Sequence, residues 1–468
     1  MRNNEFQQYQ SPLTKRYGSP EMVYNFSDEY RFRTHRRIWI ALAESQRELG
    51  LSISRDQISE MKRFKDKINY SRIAEWETKT NHDIMAHIKA FSEQCPKAKP
   101  IIHLGATSAL ITDNADLIIY KNAITLIKGY LLKTIKSLSI FVEKYKGVPC
   151  CGFTHFQPAL LTTVGKRGCM WLQDLVDDFK ALTNLEKNIK LLGAKGAIGT
   201  QASFLSLFNG NTKKVMMLDR IFAKKLGFDK TYPITGQIYP RKLDYQILSA
   251  LSCIAQSCHK FSQDLRLLQG LGELEEPFGK EQVGSSAMPY KRNPVLSERI
   301  TSLSRFAILL ADNSAFTHSG QWLERSLDDS ANRRIVLPEA FLAIDAILNI
   351  YNRIVTGITV YEGVINKRIE TELPFMITEE ILMHAVQSGG DRQELHQKIR
   401  TYSMEVVKNI KQGRKNDLIE RLKNDKAFTK TIPYLKKILV PIKYIGLSKK
   451  QAEDFLKEEV LPIIKKKK

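Results

Sequence analysis

Four long apolar stripes constrain the fold of this 468-residue chain more than any other feature of its sequence. In each stripe, apolar or aromatic residues recur at gaps of three or four positions, which places them on one face of an α-helix. Every stripe reaches or exceeds the usual helix length, so the sequence predicts an all-α fold built on a bundle of long helices. The stripes run from Leu117 to Val142, from Trp171 to Leu192, from Leu243 to Leu268 and from Leu337 to Val355.

Periodicity alone does not show whether this bundle forms within one chain or is shared between subunits. We favour a shared bundle, because four such stripes in succession suit the helical core of an oligomer. A helix of about 28 residues is roughly 42 Å long, so loops at opposite ends of one chain's bundle cannot share a pocket. A symmetric oligomer would bring such loops together from neighbouring subunits.

The chain is predicted to contain three regions. Residues 1–111 should form a small helical domain, residues 112–363 the long-helix domain, and residues 364–468 a C-terminal helical domain. Pro338 should start or kink the last long helix, because proline cannot donate the hydrogen bond of a helix interior. Pro374 is expected to help break the C-terminal domain into shorter helices.

Composition excludes several classes of protein. No apolar run approaches 18 residues, so no transmembrane helix is expected, and residues 1–10 carry no signal-peptide pattern. None of the six cysteines forms a Cys-x-x-Cys pair, and no histidine cluster completes a zinc site. We therefore expect a cytoplasmic protein with free thiols and without a bound metal.

The chain is strongly basic, with 72 lysines and arginines against 50 aspartates and glutamates and a formal net charge of +22. Such an excess could attract nucleic acid, an acidic membrane surface or a small polyanionic substrate. Apart from Lys465–Lys468 the lysines are scattered, which favours a solvated surface, and no nucleic-acid-binding motif is present. We expect neither a nucleic acid nor a membrane as a partner.

The most informative loop spans residues 279–296. It is too polar for a buried strand and too rich in glycine and proline for the interior of a helix. Ser285 and Ser286 supply adjacent hydroxyls, and Lys291 and Asn293 supply an ammonium and an amide a few residues later. An ordinary surface loop is the simplest interpretation of any one of these residues. Together they suit a mobile loop that closes over an anionic substrate.

Two of the nine histidines stand apart because of their surroundings. His155 lies in a loop between two long helices, flanked by Thr154 and Gln157, and only histidine titrates near neutral pH when unperturbed. A functional and a structural role both remain open there. His82 opens a helix beside Asp83, which could orient its ring or raise its pKa.

Further polar groups lie on separate segments. Arg325, Ser330 and Arg334 are spaced to form one anion-binding patch, since guanidinium groups match phosphate and carboxylate oxygens, although a solvated helical face is the alternative. Gln237 stands just before a long helix, whereas residues 196–203 are interpreted as a plain connector. These segments predict a site for a multiply charged anion. Hydrolysis, phosphoryl transfer and elimination all remain open, although no nucleotide-binding fingerprint supports the second.

The string GSSAMPYKRNP at residues 284–294 resembles the signature GSSxMPxKxNP of the fumarase/aspartase superfamily of lyases. A string with so many fixed positions is far more specific than a lone glycine-rich loop. Further segments resemble the adenylosuccinate lyase family within that superfamily and follow its order along nearly the whole chain. They are SPLTKRYGSPEM, NHDIMAH, HLGATS, GFTHFQPAL, GTQASF, ITGQ, LDDSANRR and ELPFM. The sequence departs from some members at Asn81, where they carry arginine.

The resemblance implies a β-elimination in purine nucleotide biosynthesis that needs no cofactor. The family releases fumarate from adenylosuccinate, giving AMP, and from the succinyl-carboxamide ribotide SAICAR, giving AICAR. Its fold is all-α with three domains, and its long helices pack as the core of a homotetramer. Its active sites combine loops from different subunits.

By the same resemblance, Ser285 is the base that removes a proton from the succinyl group, and His155 is the acid that protonates the leaving nitrogen. The residues alone would make His155 the base, because a serine hydroxyl is a poor one. Lys291 and Asn293 would stabilise the charged intermediate, and Lys291 would also favour the ionised serine. The substrate contacts and supporting residues that the resemblance implies are Arg16, Tyr17, Asn81, His82, Asp83, Thr107, Ser108, Gln237, Arg299, Arg325, Ser330 and Arg334.

Three other interpretations remain open at the level of sequence. A sister lyase, such as an argininosuccinate lyase, would use the same scaffold. A non-catalytic structural protein on this scaffold would be expected to have lost Ser285 or His155, and both are present. A nucleic-acid-binding protein driven by the net charge would bind unrelated DNA with a steep dependence on salt.

Overall fold

A computed structural model describes residues 7–465 of the chain. The protein is 70% helix and 4% strand, which confirms the predicted all-α class. The helices, in chain order, are α1 (Pro20–Asn25), α2 (Asp28–Glu48), α3 (Arg55–Phe64), α4 (Tyr70–Thr80), α5 (Asp83–Gln94), α6 (Ser108–Tyr145), α7 (Val164–Asn188), α8 (Ala202–Leu207), α9 (Thr212–Lys225), α10 (Lys242–Gly270), α11 (Val295–Ser319), α12 (Asp329–Gly357), α13 (Glu362–Met376), α14 (Thr378–Gln387), α15 (Arg392–Lys411), α16 (Leu418–Asn424), α17 (Ile432–Ile438), α18 (Ser448–Phe455) and α19 (Leu461–Lys465). The strands form two short antiparallel pairs, β1 (Pro149–Thr154) with β2 (Gln157–Thr163) and β3 (Leu274–Glu275) with β4 (Thr359–Val360).

The four predicted stripes coincide with the long helices α6, α7, α10 and α12. On α6 no stripe residue is more than 2% exposed, and on α10 and α12 none exceeds 6%. On α7, Phe179 and Leu185 are half-buried and the other stripe residues are buried, whereas the last two residues of this stripe, Ile189 and Leu192, are buried beyond the end of the helix at Asn188. A fifth long helix, α11, has no single buried stripe, because Phe306, Leu309 and Phe316 on one of its faces are exposed. Helical periodicity therefore predicts the buried long helices correctly and misses the one with an exposed apolar face.

The described chain forms two compact units. Unit 1 contains the described residues up to Leu131 together with Asp178–His259 and Ser302–Asn349. Unit 2 contains Leu132–Asp177, Lys260–Thr301 and the described residues from Ile350 onwards. Each of the five long helices supplies residues to both units. The expected three-domain division at residues 1–111, 112–363 and 364–468 stays a prediction.

In unit 1, the N-terminal segment is attached to α12 through Ser19. Its backbone N–H and its hydroxyl donate to the two carboxylate oxygens of Asp345 at 2.5 and 2.9 Å. Both residues are buried, and hydrogen bonds to a buried charged group contribute about 1.5–3 kcal/mol each. The preceding helical turn, Leu13–Tyr17, carries Arg16 and Tyr17 and ends directly before this anchor.

In unit 2, three aromatic side chains pack where the long helices meet. The Phe261 ring is stacked on Tyr351 with 3.9 Å between the centroids, and Trp171 meets Phe261 edge-on at 5.2 Å. Gly165, near the start of α7, is needed for close packing, because a Cβ there would lie 2.5 Å from the backbone of Lys146. The strands β1 and β2 lie in the connection between α6 and α7, so this packing fixes their base.

The helix α12 departs from two expectations. It begins at Asp329, nine residues before Pro338, so the proline lies inside the helix and does not start it. Among the described helices it is also the one long and apolar enough to cross a membrane by length and composition. However, 67% of its most apolar window is buried inside the protein, which is typical of a core helix. Pro374 lies in the last turn of α13, which ends two residues later at Met376, and α14 begins at Thr378, so the expected break falls just after this proline.

Candidate active site

His155 lies at the tip of a β-hairpin in unit 2, and the sequence predicted only a loop there. Strands β1 and β2 shift register between Cys151 and Phe153 and then pair up to Thr154 and Gln157, which leaves His155 and Phe156 as a two-residue turn. Both turn residues have positive φ, at 52° and 60°, as a type I′ turn requires. The hairpin was missed because such turns usually contain Asn-Gly or Asp-Gly, and neither is present.

The left-handed conformation of His155 has a cost. For a residue other than glycine it amounts to roughly 1–2 kcal/mol, and here two consecutive residues adopt it. Both side chains are exposed, so burial does not compensate for the strain. Strain kept at an exposed turn favours a functional role for the turn over a purely structural one.

The loop of residues 279–296, which contains the string GSSAMPYKRNP and is called the signature loop below, belongs to unit 2. Two backbone N–H groups of this loop donate to Ser285. Its Oγ accepts hydrogen bonds from the N–H groups of Ala287 at 3.3 Å and Met288 at 3.1 Å. Hydrogen bonds donated to an oxygen favour its ionised form, so this turn would make loss of the Ser285 proton easier. The expected partner, Lys291, is exposed, and within the described part of unit 2 no hydrogen bond or ion pair joins its ammonium to Ser285.

Both ends of the signature loop are fixed by buried or half-buried carboxylate and amide groups. The Glu276 carboxylate accepts from the N–H groups of Leu296 and Ser297 at 2.8 and 2.9 Å and so caps α11. Burial raises the pKa of this carboxyl group. Gln269 donates to the Arg292 carbonyl at 3.0 Å and accepts from the Glu276 N–H. Most residues between these anchors are exposed, which suits a loop that closes on a substrate.

Gly284 allows the two sides of the loop to approach each other. A Cβ at this position would lie 1.9 Å from the backbone oxygen of Lys291. The Gly284 carbonyl accepts a hydrogen bond from the side-chain amide of Asn293 at 2.9 Å. The close approach of the two sides therefore also orients Asn293, a predicted active-site residue. We expect Gly284→Ala to push the two sides apart and to lower kcat/KM by about 100-fold, since displacements near 1 Å can have that effect.

The control for this change is Gly279→Ala in the same loop. Its added Cβ would find no atom closer than 3.5 Å, so the variant should keep wild-type kcat/KM. Steady-state kinetics of both variants, with thermal unfolding to verify the fold, provide the test. Equal activity of the two variants would mean that the Gly284 contact does not shape the site.

In unit 1, three separate segments meet around His82. This residue caps α5, with Nδ1 accepting from the Met85 N–H at 3.3 Å, and its Nε2 lies 3.4 Å from the Ser108 hydroxyl. Asp83 forms an ion pair with Arg334 at 3.0 Å. Either His82 Nε2 or the Ser108 hydroxyl can be the donor in their contact, according to the tautomer of the ring. Four residues singled out from the sequence are thus brought together.

Two residues beside this cluster stand out, Asn81 for its backbone conformation and Thr107 for its buried hydroxyl group. Asn81 ends α4 in the left-handed conformation, with φ of 47°, which asparagine tolerates better than arginine does. This gives the departure at Asn81 a local structural reason. The hydroxyl oxygen of Thr107 is buried, and it has no hydrogen-bond partner among the described residues. An unsatisfied hydroxyl beside Ser108 suits contact with a bound molecule.

Gln237 connects two other loops of unit 1. Its backbone N–H donates to the Glu324 carbonyl at 3.0 Å, and its side-chain amide donates to the Ala197 carbonyl at 3.0 Å. Residues 196–203, interpreted from sequence as a plain connector, therefore lie against a predicted site residue. Gly199 makes this possible, because a Cβ there would lie 1.9 Å from the Thr235 carbonyl oxygen.

The remaining predicted site residues are Arg16, Tyr17, Arg299, Arg325 and Ser330. Arg16 is exposed, and Tyr17 is half-buried. Ser330 and Arg334 lie one turn apart on α12 and Arg325 precedes that helix, but no contact among residues 7–465 joins the three into a single patch. Arg299 belongs to unit 2, where it is half-buried on α11.

Other histidines near these segments have structural surroundings. Burial lowers the pKa of His87 to about 4 and of His103 to about 4, so both are neutral at pH 7. His35 is fully buried, and burial lowers its pKa as well. No group of three or more histidine, cysteine, aspartate or glutamate side chains within residues 7–465 has the arrangement to hold a metal ion.

Family models match most of the chain. A model described as lyase matches residues 16–308, and a model of the adenylosuccinate lyase C-terminus matches residues 374–455. An adenylosuccinate lyase from Schistosoma mansoni is 47% identical over 464 residues, which cover 98% of this chain and 97% of that protein. An adenylosuccinate lyase from Saccharomyces cerevisiae is 46% identical over 460 residues, covering 97% and 95% respectively.

Solved structures of more distant proteins share the fold. A 3-carboxy-cis,cis-muconate lactonizing enzyme from Pseudomonas putida has a TM-score of 0.83 at 21% identity, covering 96% of this chain and 99% of that one. A fumarate lyase from Mesorhizobium sp. BNC1 has a TM-score of 0.81 at 20% identity, covering 96% and 100%. At these identities the likeness shows the fold alone, and that fold agrees with the one predicted from the signature loop.

Proposed function

This chain belongs to the adenylosuccinate lyase family, and we propose that it cleaves adenylosuccinate to AMP and fumarate with Ser285 as the base and His155 as the acid. The observation that carries this assignment is the pair of backbone N–H groups that donate to the Ser285 hydroxyl oxygen. They would help to stabilise the ionised hydroxyl that a serine base requires, which the residue type alone does not supply.

The proposed elimination balances in protons and electrons. The Ser285 alkoxide removes a proton from the succinyl carbon that lies beside a carboxylate. The electron pair of that C–H bond first moves onto the neighbouring carboxylate and then becomes the double bond of fumarate, as the carbon–nitrogen bond breaks and its electrons stay with the nitrogen. Protonated His155 gives its proton to the leaving nitrogen, so Ser285 ends as an alcohol and His155 as a neutral imidazole.

The intermediate places extra negative charge on the succinyl carboxylate. Lys291 and Asn293 lie on the same loop as the base and carry the ammonium and amide groups that would stabilise this charge. In the structure, Asn293 donates its amide to the Gly284 carbonyl, so its orientation is already fixed by the loop. Lys291 is exposed and would reach the substrate when the loop closes.

The nucleotide part of the substrate would be held by residues of unit 1. Arg325 and Arg334 would supply guanidinium groups for the phosphate. Gln237 and the Thr107–Ser108 pair would supply neutral donors for the succinyl group and its surroundings. SAICAR carries the same succinyl-amino group and the same phosphorylated ribose as adenylosuccinate. The same residues would therefore serve both substrates, in keeping with a role in purine nucleotide biosynthesis.

A homotetramer in a reducing, cytoplasmic environment is part of the proposal. On α11 the side chains of Phe306, Leu309 and Phe316 lie on one helical face and are 37%, 69% and 78% exposed. Exposed apolar stripes of this kind are typical of subunit interfaces. All six cysteines are free thiols, which supports a reducing environment.

Turnover by the purified protein tests the function directly. Adenylosuccinate and SAICAR are each followed by absorbance, with argininosuccinate as the comparison substrate. We expect fumarate from the first two and none from the third. Fumarate from argininosuccinate alone would assign the chain to a sister lyase, and no turnover of any substrate would leave a non-catalytic scaffold.

A separate prediction concerns the phosphate. Arg325→Ala or Arg334→Ala should raise the KM for adenylosuccinate, because each loses a charge-assisted hydrogen bond contributing about 1.5–3 kcal/mol. The KM for the dephosphorylated nucleoside should change little. Arg220→Ala, at an exposed position of α9, serves as the control and should affect neither substrate. An equal loss on nucleotide and nucleoside would show that the altered arginine does not hold the phosphate.

A further inference from the structure

A balanced network of four arginines and four aspartates runs through unit 1 and includes Arg325. Two of its inner side chains, Arg241 and Asp329, are 1% and 0% exposed, whereas the side chain of Arg325 is 24% exposed. The network thus begins in the interior and reaches the surface at an arginine singled out for phosphate binding. Its members are Arg31, Arg241, Arg325, Arg333, Asp113, Asp116, Asp244 and Asp329.

Asp329, the first residue of α12, joins Arg325 to the interior. Its Oδ2 accepts from Arg241 Nε at 2.6 Å, and its Oδ1 accepts from Arg325 Nη1 at 2.8 Å. Arg241 is itself fixed by two hydrogen bonds to the carboxylate of Asp113, at 2.9 and 3.1 Å. Asp329 therefore has little freedom to move, and the nitrogen that it holds has a defined position.

The way in which Arg325 is held leaves one edge of its guanidinium group available. Nη1 makes both recorded hydrogen bonds, to Asp329 and to the Ser326 carbonyl at 2.6 Å. Among residues 7–465, neither Nε nor Nη2 of Arg325 has a hydrogen-bond partner. These two N–H groups form the planar fork that matches two oxygens of a phosphate.

We propose that Asp329 is a positioning residue for phosphate recognition, which holds Nη1 of Arg325 so that the opposite edge faces the substrate phosphate. This inference rests on the proposed function, in which Arg325 contacts the nucleotide phosphate. It assigns to Asp329 an effect on substrate selection in addition to its part in the stability of unit 1. Fixing the guanidinium before binding reduces the side-chain entropy that is lost when the phosphate binds.

The test measures phosphate selectivity, defined as kcat/KM for adenylosuccinate divided by kcat/KM for its dephosphorylated nucleoside. Arg325→Gln should lower this ratio by roughly 10-fold or more, as loss of a charge-assisted contact does. Asp329→Asn should lower it to a similar extent, with kcat for the nucleotide reduced less than kcat/KM. The double variant should be no less selective than Arg325→Gln alone, because both changes act on one contact.

The matched control is Asp116→Asn. Asp116 is also buried and belongs to the same network, but it pairs with Arg31 and Arg333, and among residues 7–465 it has no ion pair with Arg241 or Arg325. Both aspartate variants remove a buried charge partner and should lower thermal stability. The Asp116 variant should keep the wild-type selectivity ratio. A purely structural role for Asp329 predicts instead that the two variants lose stability and retain selectivity alike.

Arg325→Lys keeps the inference testable if the aspartate variants do not fold. A lysine ammonium can pair with Asp329 but cannot present a second, planar edge to the phosphate. The phosphate selectivity of Arg325→Lys should therefore fall nearly as far as that of Arg325→Gln. A wild-type selectivity ratio in Arg325→Lys would overturn the positioning role. If Arg325→Gln itself leaves the ratio unchanged, the proposed phosphate contact is wrong. If it lowers the ratio while folded Asp329→Asn does not, only the positioning inference is wrong.

Discussion

Replacing Ser285 or His155 should lower kcat by about 10²-fold to 10⁴-fold, the usual contribution of a general base or acid. Ser285→Ala removes the oxygen that the N–H groups of Ala287 and Met288 stabilise, so no base remains on the loop. His155→Asn removes the acid and still suits the turn, because asparagine tolerates the positive φ that His155 adopts. Single-turnover and steady-state kinetics on adenylosuccinate would measure both losses.

Thermal unfolding of the Ser285 and His155 variants separates an effect on catalysis from an effect on folding. His155 is exposed and Ser285 is half-buried on a loop, so both variants should unfold within a few degrees of the wild type. Ser286→Ala is the matched control, since it removes the adjacent hydroxyl from the same loop and should keep most of the activity. Loss of turnover in Ser286→Ala with normal turnover in Ser285→Ala would move the role of base to the neighbouring serine.

The fold could be predicted from sequence because its main signal is local. Residues of α6, α10 and α12 repeat with the helical period over many turns, and burial on one face requires that pattern. The hairpin at His155 could not be predicted in the same way. Its turn residues have no intrinsic preference for positive φ, so their conformation follows from the pairing of β1 with β2 and goes against local propensity.

The site was predictable only as separate pieces. Short motifs point to its residues, but the sequence does not show that Ser108 contacts His82 or that Arg334 pairs with Asp83, because each contact joins segments far apart in the chain. The buried partners were missed altogether. Asp329 lies only four residues after Arg325, yet a sequence cannot distinguish a solvated aspartate from one fully buried between two arginines.

The second large effect concerns which subunit supplies each residue of the catalytic pair, His155 and Ser285. His155 and Ser285 both belong to unit 2, and within the described part of that unit no hydrogen bond or ion pair joins the hairpin turn to the signature loop. If a tetramer supplies the two residues to each site from different subunits, inactive variants can complement each other. Denatured His155→Asn and Ser285→Ala chains, mixed in equal amounts and refolded together, should regain activity.

The size of the recovery follows from random assembly. Each site then receives a native His155 from half of the chains and a native Ser285 from the other half, so about a quarter of the sites carry both. Each variant alone should have its kcat reduced by about 10²-fold to 10⁴-fold, so activity in about a quarter of the sites is easily measured above that background. Lys291→Ala mixed with Ser285→Ala should recover nothing, because both changes damage the same loop. Tetramers of the first mixture that remain as inactive as each variant alone would place His155 and Ser285 of one site in one chain.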